Sequence, residues 1–571
     1  MFHSLQDCLL SIGIGYLIPI IGLVVGKTNK KIGITFEICL GLLLIAYMLY
    51  KYSFPGALIY LGLIAFSYSS ALMLTTSNTS TKKVKEELAK INLEQIKLHK
   101  DLKRVIFDIS IFFIVVLFAV LFFIFGPDES PLKYFILFGF ITLFSEFIKR
   151  IIVYRTVTCY FDSQTKTIYI YSFFESRKFS INDCQNVQIE SAVDILKLHP
   201  LFTLFSSNID FTTSLEKVLK ISLPGETIFL TFVEAERWKE ILHVSKAEIE
   251  DEDELVTVLP FYHKHNLKRL FGKLYFATTV KGVSAYSGLL LLLYFLNVPT
   301  WGLITAGICY WLLNISISDL VLKTAMDAKL ANDPLLLSKA DAIFTKAGIP
   351  NAKLYITDSA QYNGLATGMN IGRAMITLTT ATLKLPIETI EGILAHEAIH
   401  VKKRDIMWAQ IWRACFILFL LIVVIFIKEN ITNIEAYTVP IFLTIWLLMF
   451  LFPIYQSFIS QWMEVRADHL GATLLEGGQQ QMAESLRALS LAQDDESKKA
   501  LTYQMIEIDK NKEINSLKRE SLIWRIIEFQ LMPHPPMYWR VHSLNTNQYG
   551  WGKAILFRWM RDRCVESISI K

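Results

Sequence analysis

The chain has 571 residues, 53% hydrophobic and only 19% charged, with a formal net charge of +5 and a mean hydropathy of +0.39. Soluble domains carry about 25% charged residues, so the composition excludes a wholly soluble globular protein and points to membrane segments. The modest positive charge argues against a nucleic-acid partner: its cations gather beside apolar runs, as in KTNKK at 27–31, KHNLKRLFGK at 264–273 and VKKRD at 401–405, where they read as cytoplasmic membrane flanks.

The N-terminus, MFHSLQDCLLSIGIGYLIPIIGL, has no basic region before its apolar run and no small-residue cleavage site, so it is expected to be a retained helix. Spanning a bilayer takes about 20 mostly apolar residues. Leu9–Val25, Ile32–Tyr50, Pro55–Leu74, Val105–Phe125 and Leu132–Ile148 meet that requirement, giving a five-span region over 1–153. Between the third and fourth, Val84, Leu88, Ile91, Ile96 and Leu98 recur among charges and predict an amphipathic linker helix over 80–104. Residues 154–255 then alternate apolar and polar, as in YRTVTCYFDSQTKTIYIYSFF and VLKISLPGETIFLTF, before a helical VEAERWKEILHVSK and an acidic EIEDEDE hinge. Strands followed by one helix resemble a small pleckstrin-homology-like cytoplasmic module, a place for a regulatory ligand or protein.

Val283–Val298 and Thr300–Ile317 predict a transmembrane hairpin within 271–317; Met407–Ile427 and Tyr437–Ser457 predict another over 407–457. That makes about nine spans. Charge asymmetry places every large polar segment, including 318–406 and 458–571, on the cytoplasmic side. The seven cysteines have no paired spacing, which fits a reducing compartment.

Chemistry is carried by EGILAHEAIHVKKRD, 391–405. On a helix His396 and His400 share a face and present two imidazoles to one metal, while Glu397 lies close enough to act as general base toward a metal-activated water. A catalytic zinc commonly takes three protein ligands. Beyond the following hairpin, QWMEVRADHLGATLL offers Glu464 as the third, with Asp468 one turn on to orient a ligating imidazole. The expected architecture is therefore a mainly α polytopic membrane protein with a zincin-like α+β cytoplasmic catalytic domain, split into 318–406 and 458–571, and a small β-rich cytoplasmic domain.

HEAIH with Asp405, a hairpin and then EVRAD resemble the HtpX-type membrane zinc endopeptidases and their relatives, the CAAX prenyl endopeptidases. NGLATG at 363–368 and HPPMYWR at 534–540 are similar to two further motifs of that family. The likeness covers about 271–571; the first 270 residues are additional to it. It implies one zinc per chain on His396, His400 and Glu464, with Glu397 as base and His534 as transition-state stabiliser. It further implies Arg540 bracing Glu464, and substrate held along Asn363, Gly364, Leu365, Ala366, Thr367 and Gly368. Asp405 is left outside the catalytic set, and His469 is expected to point away. The resemblance implies an endopeptidase of a bacterial cytoplasmic membrane, with its active site on the cytoplasmic side and polypeptides, membrane proteins above all, as substrates. Alternatives are a CAAX-type peptidase acting on lipidated tails and a non-proteolytic membrane sensor or scaffold with a vestigial zinc site. A transporter fits least, because the spans carry few ionisable residues.

Overall fold

The computed structural model describes residues 5–26, 30–52, 54–75, 79–88, 93–126, 132–190, 208–242, 263–277, 293, 298–367, 374–430, 437–504, 514–546 and 550–569. The chain is mainly helical, with three four-stranded sheets among the described residues.

By length and composition, three helices among the described residues are able to cross a bilayer: Leu5–Val25, Lys31–Lys51 and Leu102–Phe125. A bent pair, Trp301–Asn314 with Asp319–Met326, makes up to four. The expected nine is not confirmed among the described residues. Over the third expected span the apolar helix is short, Gly56–Leu72. Helix Leu132–Thr156, over the fifth, carries Lys133, Glu146, Lys149, Arg150 and Arg155. Val283–Val298 lies almost wholly outside the described residues. Helices Asp405–Asn430 and Thr438–Gly471 do form where the last hairpin was expected, and Trp408, Leu418, Ile422, Phe426, Leu443 and Leu447 face outward from them.

The linker is also corrected. Among the described residues its helix covers Thr79–Leu88, and Glu94–Ile96 forms strand β1, paired antiparallel with β2 (Thr158–Asp162). An open edge strand presents unpaired amides that a nearby extended segment satisfies, and Ile96 is buried by this pairing. β3 (Thr167–Tyr171) and β4 (Ser176–Ser180) complete the sheet in the order β1-β2-β3-β4. The β2–β3 turn is held by Asp162, whose Oδ1 accepts from the Gln164 amide at 2.9 Å. A second sheet runs β5-β7-β8-β6, from β5 (Asn186–Glu190), β6 (Asn208–Asp210), β7 (Val218–Leu223) and β8 (Glu226–Leu230). The two sheets close over Ile168, Ile170, Leu219, Ile221 and Ile228, and helix Ala235–Leu242 caps them by packing Trp238 against Phe161 and Phe232. The expected acidic hinge, 248–254, lies outside the described residues.

The third sheet has the order β11-β12-β10-β9, from β9 (Lys329–Leu330), β10 (Lys353–Thr357), β11 (Gly364–Thr367) and β12 (Met375–Thr379). β10 and β12 are parallel and β11 is antiparallel to β12, which leaves β11 at the edge. Against this sheet lies the helix Ile387–Lys403. Pro386 precedes its first turn, and Ile390, Ile393, Leu394, Ala395 and Ala398 form its buried face. Each of the larger side chains contributes roughly 1.5–3 kcal/mol by leaving water. On its other side helix Gly478–Tyr503 packs so closely that a Cβ on Gly392 would lie 2.3 Å from Ser485 Oγ.

Helix Gly478–Tyr503 also joins the catalytic half to the β-rich module: Tyr503 enters the module's core beside Phe179. Two turns earlier, Glu496 is buried against the β7–β8 turn, and burial pushes its carboxyl up to about 7 from its usual 4.5; Asp495 adds to the rise, while Lys384, Lys499 and the Gly225 backbone oppose it. A carboxyl raised in the folded state contributes its stability in full below pH 4.5 and loses it as pH rises through about 7. Thermal melting of Glu496→Gln is therefore expected to fall less between pH 5 and pH 8 than that of the parent.

Candidate metal and peptidase site

His396 and His400 emerge one turn apart from the same helix, with their rings in an edge-on pair and their Nε2 atoms 3.0 Å apart. Helix Thr438–Gly471 runs on past the expected span and delivers Glu464 to them. Its Oε2 is 3.3 Å from His396 Nε2 and its Oε1 is 3.3 Å from His400 Nε2. These three residues form the one His/Cys/Asp/Glu group among the described residues with metal-compatible spacing, all ligand atoms within 4.8 Å of one another.

The far side of each ring is held by a carboxylate. Asp468 Oδ1 stands 2.9 Å from His396 Nδ1, and Asp405 Oδ2 accepts at 2.8 Å from His400 Nδ1. The Asp405 bond fixes the His400 tautomer that turns its Nε2 lone pair toward the centre, while Asp468 faces His396 Nδ1 as a close pair without an aligned hydrogen bond. Asp405 reaches His400 because the helix ends abruptly. Arg404 adopts the left-handed conformation, φ 54°, its N–H returns to the His400 and Val401 carbonyls, and the next helix starts at Asp405. Both carboxylates are in turn tied to arginines. Arg466 binds Asp405, and Arg540 grips Asp468 with two bonds of 2.8 and 2.6 Å. Arg540 lies 3.5 Å from Glu464, so it braces Asp468 first and Glu464 second, unlike the expected order.

Asp405 and Arg466 are the residues missed from the sequence. Their signal was present, since Asp405 stands immediately after a helix-ending run and Arg466 between Glu464 and Asp468, but neither spacing alone distinguishes an orienting pair from a surface charge. His469 is buried and hydrogen-bonds Ser543, away from the ligand cluster as expected.

Four carboxylates, Glu397, Asp405, Glu464 and Asp468, meet two guanidiniums here, so two negative charges are left for protons on the imidazoles or for a cation to offset. The pocket accordingly favours cations. Burial opposes protonation of His396, yet Asp468 and Glu464 outweigh it and push the imidazole up to about 9. Burial opposes ionisation of Glu464, but His534 and the two imidazoles hold it well below the usual carboxylate range. Glu464 Oε2 is buried with no aligned hydrogen bond. Two converging imidazole nitrogens, a carboxylate with an unsatisfied oxygen and two uncompensated charges fit a divalent metal ion.

Glu397 occupies the next position round the helix. Its Oε2 accepts from the Ala366 amide at 2.7 Å, so the edge strand β11 lies directly over it. Gly364 permits that approach: a Cβ there would sit 2.8 Å from Ile393 Cγ2 and 3.3 Å from Glu397 Oε1. Asn363 is exposed at the start of the strand, with its backbone held by Thr379 and Thr382. Leu365, Ala366 and Thr367 follow in the strand, whereas Gly368 lies outside the described residues. His534, on the Pro-rich loop, is exposed and brings Nδ1 to 2.9 Å from Glu464 Oε2. The Pro536 carbonyl then accepts from the Trp539 and Arg540 amides, so one loop places both His534 and Arg540.

All of these residues fall within a single matched segment. Residues 331–548 match the family model of Peptidase family M48. Residues 158–246 match a bacterial PH domain, in line with the expected module. The chain has relatives among curated proteins described as "Protease HtpX homolog". One from Acidiphilium cryptum is 34% identical over 99 residues, 17% of this chain and 34% of the relative. One from Pelotomaculum thermopropionicum is 43% identical over 63 residues, 11% and 22%. One from Methanocaldococcus jannaschii is 33% identical over 98 residues, 16% and 34%. The chain thus spans about a third or less of the length of these relatives. The HtpX-like resemblance read from the motifs is borne out.

Removing an orienting carboxylate typically costs 10–100-fold in metal affinity. Asp405→Asn, left aside on sequence grounds, is expected to show a loss of that size in a zinc competition titration, with Glu397 and Glu464 unchanged.

Proposed function

We propose that the chain is an integral-membrane, zinc-dependent endopeptidase. The observation that carries this reading is the placement of Glu397 between the His396–His400–Glu464 group and a free sheet edge. One zinc ion held by those three residues supplies a Lewis acid and a water whose pKa falls from 15.7 toward ~7.

The remaining work belongs to the chain. Glu397, held by the Ala366 amide, takes the proton of the attacking water and delivers it to the leaving amine. His534 reaches the cluster from the Pro-rich loop and donates to the oxygen on which charge develops; losing such a donor costs about 3–4 kcal/mol of barrier stabilisation. The polypeptide lies extended along Asn363–Gly368 as an added strand, so unfolded or flexible segments are selected. In an antiparallel ladder alternate residues point their amides to opposite edges. The Ala366 amide faces Glu397 rather than β12, so the outward edge of β11 runs past the base.

The hairpin Asp405–Asn430 and Thr438–Gly471 crosses the bilayer in this reading. Its outward Leu418, Ile422, Phe426, Leu443 and Leu447 suit lipid, and Lys402, Lys403 and Arg404 mark the cytoplasmic end. The two halves of the site meet at that end, at the inner face of a bacterial cytoplasmic membrane, where juxtamembrane and cytoplasmic segments of membrane proteins are the available substrates. The vestigial-site scaffold is not favoured, since Glu397 and the three candidate ligands converge, and the lipidated-tail peptidase is not favoured, since the similar curated proteins are described as HtpX protease homologues.

Glu397→Gln keeps the ligand set and removes the base. It is expected to retain zinc and to lose 10²–10⁴-fold in cleavage of an unfolded polypeptide by the purified protein in lipid nanodiscs. Cleavage at the parent rate would exclude the assigned role.

A further inference from the structure

The bacterial PH-like module touches the M48 region at a particular place. Lys220, on β7, has its side chain almost wholly buried (5% exposed), and it pairs with two carboxylates: Glu190 on the neighbouring β5, at 3.3 Å, and Asp358 of the M48 region. Asp358 follows β10 and opens the segment 358–363 that leads into the edge strand β11.

That short segment is pinned along its length. Thr380 Oγ1 donates to Asp358 Oδ1 at 3.3 Å, and Gln493 Nε2 donates to the Tyr362 carbonyl at 3.0 Å. Thr382 Oγ1 donates to the Asn363 carbonyl at 2.9 Å. Three residues on, the Ala366 amide reaches Glu397. The module grips the other side of the same rim as well. Gln185, just before β5, meets Lys384, which follows β12. The β7–β8 turn sits flush on helix Gly478–Tyr503: Gly225 has a φ of +81°, and a Cβ there would lie 2.8 Å from the Glu496 carbonyl.

We infer that the PH-like module is a clamp on the substrate strand, in which the Lys220–Asp358 ion pair holds Gly364–Thr367 in place over Glu397. Lys220 is then a positioning residue acting through Asp358, and the inference rests on the reading of β11 as the strand that receives substrate. A desolvated ammonium needs a carboxylate, and the module's cation directs one of its ion pairs to the domain that carries the site. The clamp's other end is fixed to the helical hairpin Leu102–Phe125 and Leu132–Thr156. There Arg104 and Arg150 both bind Asp108, Arg150 also binds Asp210, and Lys149 binds Glu175 at 2.6 Å. Helix Leu132–Thr156 passes into β2 after a single residue. The module therefore bridges that hairpin and the cleft.

The test uses the full chain, zinc-loaded in nanodiscs, as the parent and as Lys220→Met, Lys220→Arg and Asp358→Asn. Hydrogen–deuterium exchange reads residues 358–367, and steady-state kinetics use a reduced, carboxymethylated unfolded protein. Lys220→Met and Asp358→Asn are expected to speed exchange in that segment tenfold or more and to raise KM several-fold. Bound zinc and kcat stay within twofold, and Lys220→Arg behaves as the parent. If Lys220→Met fails to fold, Asp358→Asn, whose carboxylate is 40% exposed, decides the matter. Unchanged exchange and KM in the folded variants would overturn the clamp, as would exchange that rises equally across the whole chain. A parent that binds zinc but cleaves nothing would sink the peptidase reading instead, and the exchange data alone would then decide the clamp.

Discussion

Everything at the site depends on how its two imidazoles are held. An imidazole presents one lone pair toward a metal only if its other nitrogen carries the proton, and here Asp468 and Asp405 stand against the two Nδ1 atoms. Those carboxylates are buried, and buried charge is costly unless paired, so Arg540 and Arg466 sit behind them. The result is two short relays, arginine to aspartate to imidazole, that converge on one point together with Glu464. The charge left over is negative, which raises the affinity of His396 for a proton and suits the centre to a divalent ion.

This arrangement requires distant parts of the chain to meet. The motif helix supplies both imidazoles and, through the left-handed Arg404, the first aspartate. The helix that returns from the apolar hairpin supplies Glu464, Arg466 and Asp468 within five residues, and its polar end carries them directly to the imidazoles. The Pro-rich loop then closes the site, because the Pro536 carbonyl caps the helix bearing Arg540 while the preceding residues carry His534 to Glu464. The sheet adds the fourth side. β11 lies over Glu397 only because Gly364 leaves room, and its outer edge is unpaired among the described residues.

Some of this was legible in the sequence, for identifiable reasons. A four-residue spacing on an apolar-faced helix can place His396 and His400 in only one relation, so their convergence followed from helical geometry alone. The strands of the PH-like module were legible because alternation and the Asp162 and Gly225 turns mark half-buried hairpins. Other readings went astray where sequence pattern is ambiguous. Residues 94–96 resemble a continuing amphipathic helix, yet β2 offered an open edge, and pairing with it outweighed local propensity. Hydropathy suggested nine spans, but Leu132–Thr156 collects enough charge at its end to serve as the root of the module as much as a lipid helix.

The sequence by itself determined that His396, Glu397 and His400 share one helix, and it determined the strand–turn pattern of the module, because each follows from spacing within one helix or one hairpin. Tertiary structure alone decided that Arg540 serves Asp468 before Glu464, that Asp405 orients His400, and that Lys220 meets Asp358. The first and last of these contacts join residues far apart in the chain, and the second depends on the left-handed turn at Arg404; no local periodicity records which buried charge will lie beside which.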